Sequence, residues 1–395
     1  MKISFLTMSL LLVLSKYCFC DNTTQIIKQA DSLVSLNKFN SAFLVLRDAD
    51  SGNDNPAIAL KKSRIALDYF VKAIMHHIFA FIDLKPGENI SNYRGKAGSY
   101  SMYPLEINNI MLKLIKKYPR NWALYQMLGE YYYEVSYKYD GKWDESNDSL
   151  YAKSSRNYKI AIANNVYDSK SFYVLGYIDL VQKKYDSAIQ NFMRSLSLND
   201  TDATTNYNLA YAYLYKNKRD STIKYGMKAF SFYENGPYKA DAATMVGVTY
   251  KELGNKEKSL EYLEKALTVY PNLDNITGAL SLSLELGLVP KAQDISEKLF
   301  NLGPDNPTTL QTVTSVYFKY HKQDKLPLFF STIEKDQKSF QVLGNIYFHE
   351  AIFYRDIEDK ENCRKYFKFA KKQMENDSKK NEKPLELINQ ELNKL

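Results

Sequence analysis

The sequence predicts an all-α fold, a solenoid of stacked helix–turn–helix repeats. Three observations carry that expectation. A spaced pattern returns about every 34 residues. Within each period the apolar residues fall on one face of two successive helices. Small residues recur where those helices would cross, set between large ones. The pattern is plainest in Val246-Gly247, Tyr250, Gly254, Ser259, Leu263, Ala266-Leu267 and Pro271. It returns as Phe172, Leu175-Gly176, Tyr185, Ala188, Phe192 and Leu196.

Taken in order, residues 1–20 come first. They have a basic start at Lys2, an apolar run from Ile3 to Leu14, and Cys18-Phe19-Cys20 before Asp21. That layout is a secretory signal peptide, and the run is too short for a spanning helix. Cleavage before Asp21 predicts an exported protein, periplasmic or secreted. A lipoprotein acylated on Cys20 is the rival reading. Phe19 speaks against it, because the residue before a lipidated cysteine is normally small.

Residues 21–120 read as degenerate N-terminal repeats with an insertion at 85–103. Ala30, Phe39, Ala42 and Leu46 fit a first helix pair. Residues 57–120 make a second, whose second helix runs from Leu105 to Tyr118 and stops at Pro119. Its first helix would carry His76 and His77 about 100° apart, so they would not address one metal from one face. Residues 121–338 form the core array, with an insertion at 137–149. Pairs begin near Asn121, Ser169, Ala203, Ala240, Leu273 and Pro307. Residues 339–395 hold the last pair and a capping helix from Pro384 to Leu395, since a solenoid end needs a polar outer face. Cys363, Phe367 and Ala370 come late in that pair, so both of its helices should run long.

These spacings resemble the tetratricopeptide repeat, as found in exported bacterial repeat proteins, over roughly residues 23–377. The resemblance implies a right-handed solenoid and a scaffold that binds a protein or peptide in the groove lined by the first helix of each pair. Transferring the family's groove positions gives Gln126, Glu130 and Tyr133, then Tyr173 and Tyr177, then Tyr207, Tyr211 and Tyr215. Later pairs give more charged or polar positions, among them Asp241, Lys251, Gln311 and Lys319. Tyrosine offers apolar area and a hydroxyl at low entropic cost, which suits peptide contacts. The same rings could instead pack between neighbouring first helices and stiffen the array.

Both insertions fall between the first and second helix of adjacent pairs, so they should emerge on one edge. Between them they carry Tyr93, Arg94, Tyr100, Tyr103, Tyr139 and Trp143. Two readings stand for this aromatic patch. It binds a ligand, a glycan being the natural class, or it caps the N-terminal pairs.

Composition narrows the function. The net charge is +8, but the lysines are spread along the helices among carboxylates. A nucleic-acid surface would show a basic stripe, so no nucleic-acid partner is expected. Cleavage at Asp21 would leave Cys363 as the one cysteine, a packed small hydrophobe with no disulfide to make. No stretch after residue 20 reaches transmembrane length. The six Asn-x-Ser/Thr triplets are read as chance in an Asn-rich chain. No HExxH, GxSxG or Walker loop occurs, and His321 and His349 sit in separate pairs. The carboxylate-rich loop at 140–148 lacks calcium-hand spacing. The sequence therefore predicts a non-enzymatic scaffold with no cofactor and no metal. The alternatives are a glycan-binding accessory protein and the sensor-like part of an envelope regulatory system.

Overall fold

The computed structural model describes residues 22–377 and 382–395. The expected signal peptide lies outside the described residues. The chain divides into two compact units, one ending at Asp200 and the other running from Thr201 to Leu395. Each consists of stacked antiparallel helix pairs, so the fold class is the all-α helical-repeat solenoid expected from the period.

In the first unit, α1 (residues 22–35) pairs with α2 (Phe39–Ala49). Then come α3 (Pro56–Tyr69), a small sheet, and α4 (Ile107–Lys117). Two regular pairs follow: α5 (Trp122–Tyr139) with α6 (Asn147–Ala163), and α7 (Ser169–Val181) with α8 (Tyr185–Leu198). The second unit pairs α9 (Ala203–Tyr215) with α10 (Arg219–Phe232) and α11 (Pro237–Glu252) with α12 (Lys256–Val269). It continues with α13 (Leu273–Glu285) and α14 (Val289–Asn301), then α15 (Pro307–Lys319) and the short α16 (Leu326–Glu334). It ends with α17 (Phe340–Asp356), α18 (Lys360–Asn376) and α19 (Glu382–Lys394).

A single backbone device makes most of these pairs alike. The residue that turns the chain from first to second helix is left-handed: Asn37, Lys183, Asn217, Gly254, Gly287, His321 and Glu358 all have φ between 54° and 79°. In each case the next N–H reaches back five residues, as in Lys184 N–H to the Asp179 carbonyl (2.8 Å) and Asn255 N–H to the Tyr250 carbonyl (2.9 Å). This is the Schellman closure, which satisfies carbonyls the helix end would otherwise orphan. From Lys183 onward the turns recur close to the 34-residue period. The pairs that lack the closure are the two that carry insertions.

Packing within a pair depends on small residues at the crossing. A Cβ on Gly247 of α11 would sit 3.1 Å from the Ser259 carbonyl oxygen of α12, a backbone atom that cannot swing away. At Gly176 of α7 it would lie 2.6 Å from the ring of the fully buried Phe192 of α8. Burying such a ring stabilises by about 2 kcal/mol, and only a glycine opposite leaves room for it.

The structure corrects the reading of residues 70–84. They are not the end of a first helix. Strands β1 (Lys72–Ile74), β2 (Ile78–Ala80) and β3 (Met102–Pro104) form an antiparallel sheet in that order, with Ala73 opposite Phe79 and Phe79 opposite Tyr103. His76 and His77 therefore lie in the β1–β2 turn, not on a helix; Met75 and His76 both have φ of 49°. The run Ile78-Phe79-Ala80-Phe81-Ile82 favours a strand, with Phe79 and Phe81 buried in the unit's core. Short apolar runs fit either periodicity, which is why the pattern alone misassigned it.

At the other end, α17 and α18 each span 17 residues, against 13 for α13. Their extra turns meet α19, whose Ile388 is fully buried against Cys363, Phe367 and Ala370.

Candidate functional site

In the first unit the first helices of successive pairs are α3, α5 and α7. Helix α5 touches α3, α4, α6 and α7, and every residue from 127 to 133 is buried. Tyr133 is among them. It stands edge-on to Tyr173 (6.4 Å between centroids) and Tyr177 (5.7 Å) of α7 and stacks on Tyr137 (6.4 Å). Burial, then the neighbouring Tyr173 hydroxyl, pushes the Tyr133 phenol well above its ordinary range. Tyr173 and Tyr177 are half-buried, while Tyr137 is 57% exposed. Gln126 donates to the Ser171 hydroxyl at 3.1 Å, joining α5 to α7. The tyrosines of this unit thus form a layer between first helices, open at Tyr137 and partly at Tyr177.

Beside that layer runs an ion network that sequence reasoning missed. Glu130 of α5 is 2% exposed and accepts from Arg64 of α3 (2.5 Å) and Lys170 of α7 (2.7 Å). Lys170 also reaches Glu134 at 3.1 Å. Burial opposes ionisation of Glu130, but Lys170 and Arg64 together hold its carboxyl below the usual range. Glu130 was legible as a groove position. Its partner Arg64 was not, because it belongs to the pair whose period is most eroded. The available signal was Glu130 itself, a carboxylate set within the buried run 127–133 of otherwise uncharged residues.

In the second unit, α9 carries Tyr207, Tyr211 and Tyr215. Tyr207 is half-buried, edge-on to Tyr233 (6.4 Å), which stacks on Tyr238 (6.0 Å). Burial, then Asp241 and Tyr233, raises its phenol to about 12. Tyr211 and Tyr215 are one turn apart, with rings 4.8 Å apart and hydroxyls within 3.1 Å. Tyr215 is 54% exposed.

The insertion residues are mostly engaged with the core beneath them. Tyr103 packs on Phe43 (5.4 Å) and Phe81 (6.3 Å). Arg94 donates to the carbonyls of Phe70 (3.0 Å) and Asp68 (2.6 Å) and lies over the Phe70 ring. Tyr93 donates to Glu88 at 2.8 Å. Tyr100 folds over Gly98. Tyr139 meets His76 Nδ1 through its hydroxyl (3.1 Å) and Trp143 through its ring (4.9 Å), and Trp143 stands edge-on to His77 (5.5 Å). The second insertion therefore meets the β1–β2 turn. Burial, then Lys138 and His77, depresses the His76 imidazole to about 3, so it is neutral at ordinary pH. Among the described residues no group of three or more His, Cys, Asp or Glu is placed to hold a metal ion, and no helix is long and apolar enough to cross a membrane.

Helix pairs closed by one repeated turn, with tyrosines arrayed on their first helices, define an α-helical repeat protein. One of its helix pairs, α11 with α12, matches the tetratricopeptide repeat. The family's model matches residues 240–273, which hold most of α11 and all of α12. Among solved structures, the chain is similar to a tetratricopeptide repeat protein from Parabacteroides merdae ATCC 43184, at 18% identity and a TM-score of 0.37, covering 67% of this chain and 97% of that one. It is similar to the C-terminal part of a repeat-containing protein from Cytophaga hutchinsonii, at 14% identity and a TM-score of 0.41, covering 69% and 91%. It is also similar to YrrB, described as a repeat protein with an unusual peptide-binding site, at 15% identity and a TM-score of 0.33, covering 61% and 100%. No curated protein matches the chain.

Proposed function

We propose that this protein is an exported, non-enzymatic scaffold that binds a polypeptide partner in the cell envelope through the tyrosines of its first helices. The observation that carries the reading is the pair of half-buried Tyr211 and exposed Tyr215, whose rings and hydroxyls present apolar area and hydrogen bonding together. Tyr137 and Tyr177 repeat that chemistry in the first unit. The residues behind them are packed, so the surface would bind with little ordering entropy. Export rests on the layout of residues 1–20. The insertions are left out of the surface, since Tyr139 and Trp143 are engaged with His76 and His77.

The test is crosslinking with mass spectrometry on the full chain in its native host. The reading expects a polypeptide crosslinked near α9 in the envelope fraction, lost in the double variant Tyr211→Ala, Tyr215→Ala while circular dichroism stays helical. The same crosslinks in the variant would contradict it.

A further inference from the structure

Helix α6, the second helix of its pair, borders a cleft of about 610 Å³. Ala152, Ser155, Arg156, Lys159, Ile160 and Ala163 recur three and four residues apart, so they share one face of α6. The end of α7 supplies Ile178, Asp179 and Gln182, and Lys184 follows in the turn to α8. None of the groove tyrosines lines the cleft.

Its charges are unmatched. Among the described residues, Arg156 and Lys159 make no hydrogen bond, ion pair or ring contact, and the Ser155 hydroxyl makes no hydrogen bond. Lys184 Nζ donates to the Gln182 amide oxygen at 2.8 Å, a neutral partner that leaves the ammonium charge uncompensated. The one carboxylate lining the cleft, Asp179, accepts from the Ser187 hydroxyl (2.5 Å) and the Asn191 amide (2.9 Å), which are neutral too. Three cations against one carboxylate leave two positive charges without a counter-ion in the protein. The carbonyls at the end of α7 would repel an anion, but they are already taken up. Those of Ile178, Asp179 and Leu180 accept from the N–H groups of Gln182 (3.1 Å), Lys184 (2.8 Å) and Lys183 (2.9 Å).

Two excess charges match a dianion. A phosphate monoester is close to one above neutral pH, and a guanidinium can hold two of its oxygens at once. A carboxylate would leave one cation unmatched. Beside the charges runs an apolar wall, with Ile178 buried, Ile160 half-buried and the methyls of Ala152 and Ala163 exposed. That wall takes a carbon group next to the phosphate, and the volume is that of a small-ligand site. We infer that this cleft binds a phosphate monoester, its oxygens on Arg156, Lys159, Lys184 and the Ser155 hydroxyl and its carbon group on the isoleucine wall. The inference does not depend on the polypeptide-binding reading.

The experiment is calorimetric titration of the full chain with phenyl phosphate at low salt and about pH 8, where the ester is a dianion. The expected result is binding that weakens as salt is added. Inorganic phosphate, which lacks the ring, and benzoate, which lacks one charge, should each bind roughly tenfold more weakly. Arg156→Gln with Lys159→Gln should cost roughly tenfold or more with the helical spectrum intact, because both side chains are exposed. Lys365→Gln with Lys368→Gln removes the same charge at the same spacing from α18 and should change nothing. No binding in the wild type, or equal losses in the two double variants, overturns the site. Benzoate binding as tightly as phenyl phosphate overturns the phosphate assignment, and inorganic phosphate doing so overturns the ester. Phosphatidylcholine vesicles carrying phosphatidic acid separate the two sources of such a group. Capture of the wild type but not of the Arg156 and Lys159 variant assigns a lipid headgroup; phenyl phosphate binding without capture assigns a soluble ester.

Discussion

Replacing Glu130 by glutamine would leave the Arg64 guanidinium and the Lys170 ammonium converging on a neutral amide in a site that is 2% exposed. Breaking a buried pair costs roughly 3–5 kcal/mol, but both cations are about one-third exposed, so solvent screening lowers the expectation for Glu130→Gln to about 2 kcal/mol. Urea unfolding at pH 7 measures it. The pH dependence follows from the sign of the shift. The folded carboxyl ionises below its usual range, so its stabilisation is present above the unfolded value of 4.5 and is lost as pH falls through the folded one. Acidification should therefore cost the wild type more stability than Glu130→Gln. Glu350 has the opposite sign. It is 4% exposed on α17; burial raises its pKa to about 7, against the Tyr366 hydroxyl and Lys365, with Glu334 adding to the rise. Its contribution is full below pH 4.5 and is lost as pH rises through about 7, beyond which the penalty is on the order of 3 kcal/mol. Glu350→Gln should gain stability relative to wild type between pH 5 and pH 8, read as diverging urea midpoints; parallel midpoints would refute the assignment.

At the scale of the element, the repeated left-handed turn makes opposite predictions at its two kinds of residue. Lys183 and Glu358 hold side chains where φ is 59° and 63°, so Lys183→Gly or Glu358→Gly should stabilise by up to about 1 kcal/mol. Gly254→Ala, at φ 79°, should destabilise by about the same amount. Thermal melts compare the three directly. These turns also mark how far the sequence was legible. Gly254 and Gly287 announced the turn by residue type, but Lys183, His321 and Glu358 do so only through their place in the period. The helices of the regular pairs were readable because their apolar period and small crossing residues agree. The sheet at 72–104 was not readable, because Phe79 and Phe81 fit a buried helix as well as a strand. Likewise Tyr133 and Tyr211 were both read as groove positions, yet one is core and the other half-exposed. The difference is what packs around them, since α5 is enclosed on four sides.

At the scale of the molecule, each unit has its own core and its own row of tyrosines on first helices. Stability in such arrays comes from each pair covering the next, so the final face needs a cover of its own. Helix α19 supplies it, and its Ile388 closes over the buried Cys363. Changing Ile388→Asp should open that cover and turn a thiol inert to a maleimide reagent into a reactive one. With that face covered, the partner surface we propose is the exposed part of each unit's own tyrosine row. The central claim is that these tyrosines, and not the aromatic insertions, hold a polypeptide. The most direct measurement is the yield of partner crosslinked in the native host by the wild type, by Tyr211→Ala with Tyr215→Ala, and by Trp143→Ala, each checked for helical content. The account predicts a loss of roughly tenfold or more for the tyrosine pair and a yield near wild type for Trp143→Ala. An unchanged yield for the tyrosine pair, with the partner lost on Trp143→Ala in a folded chain, would contradict it.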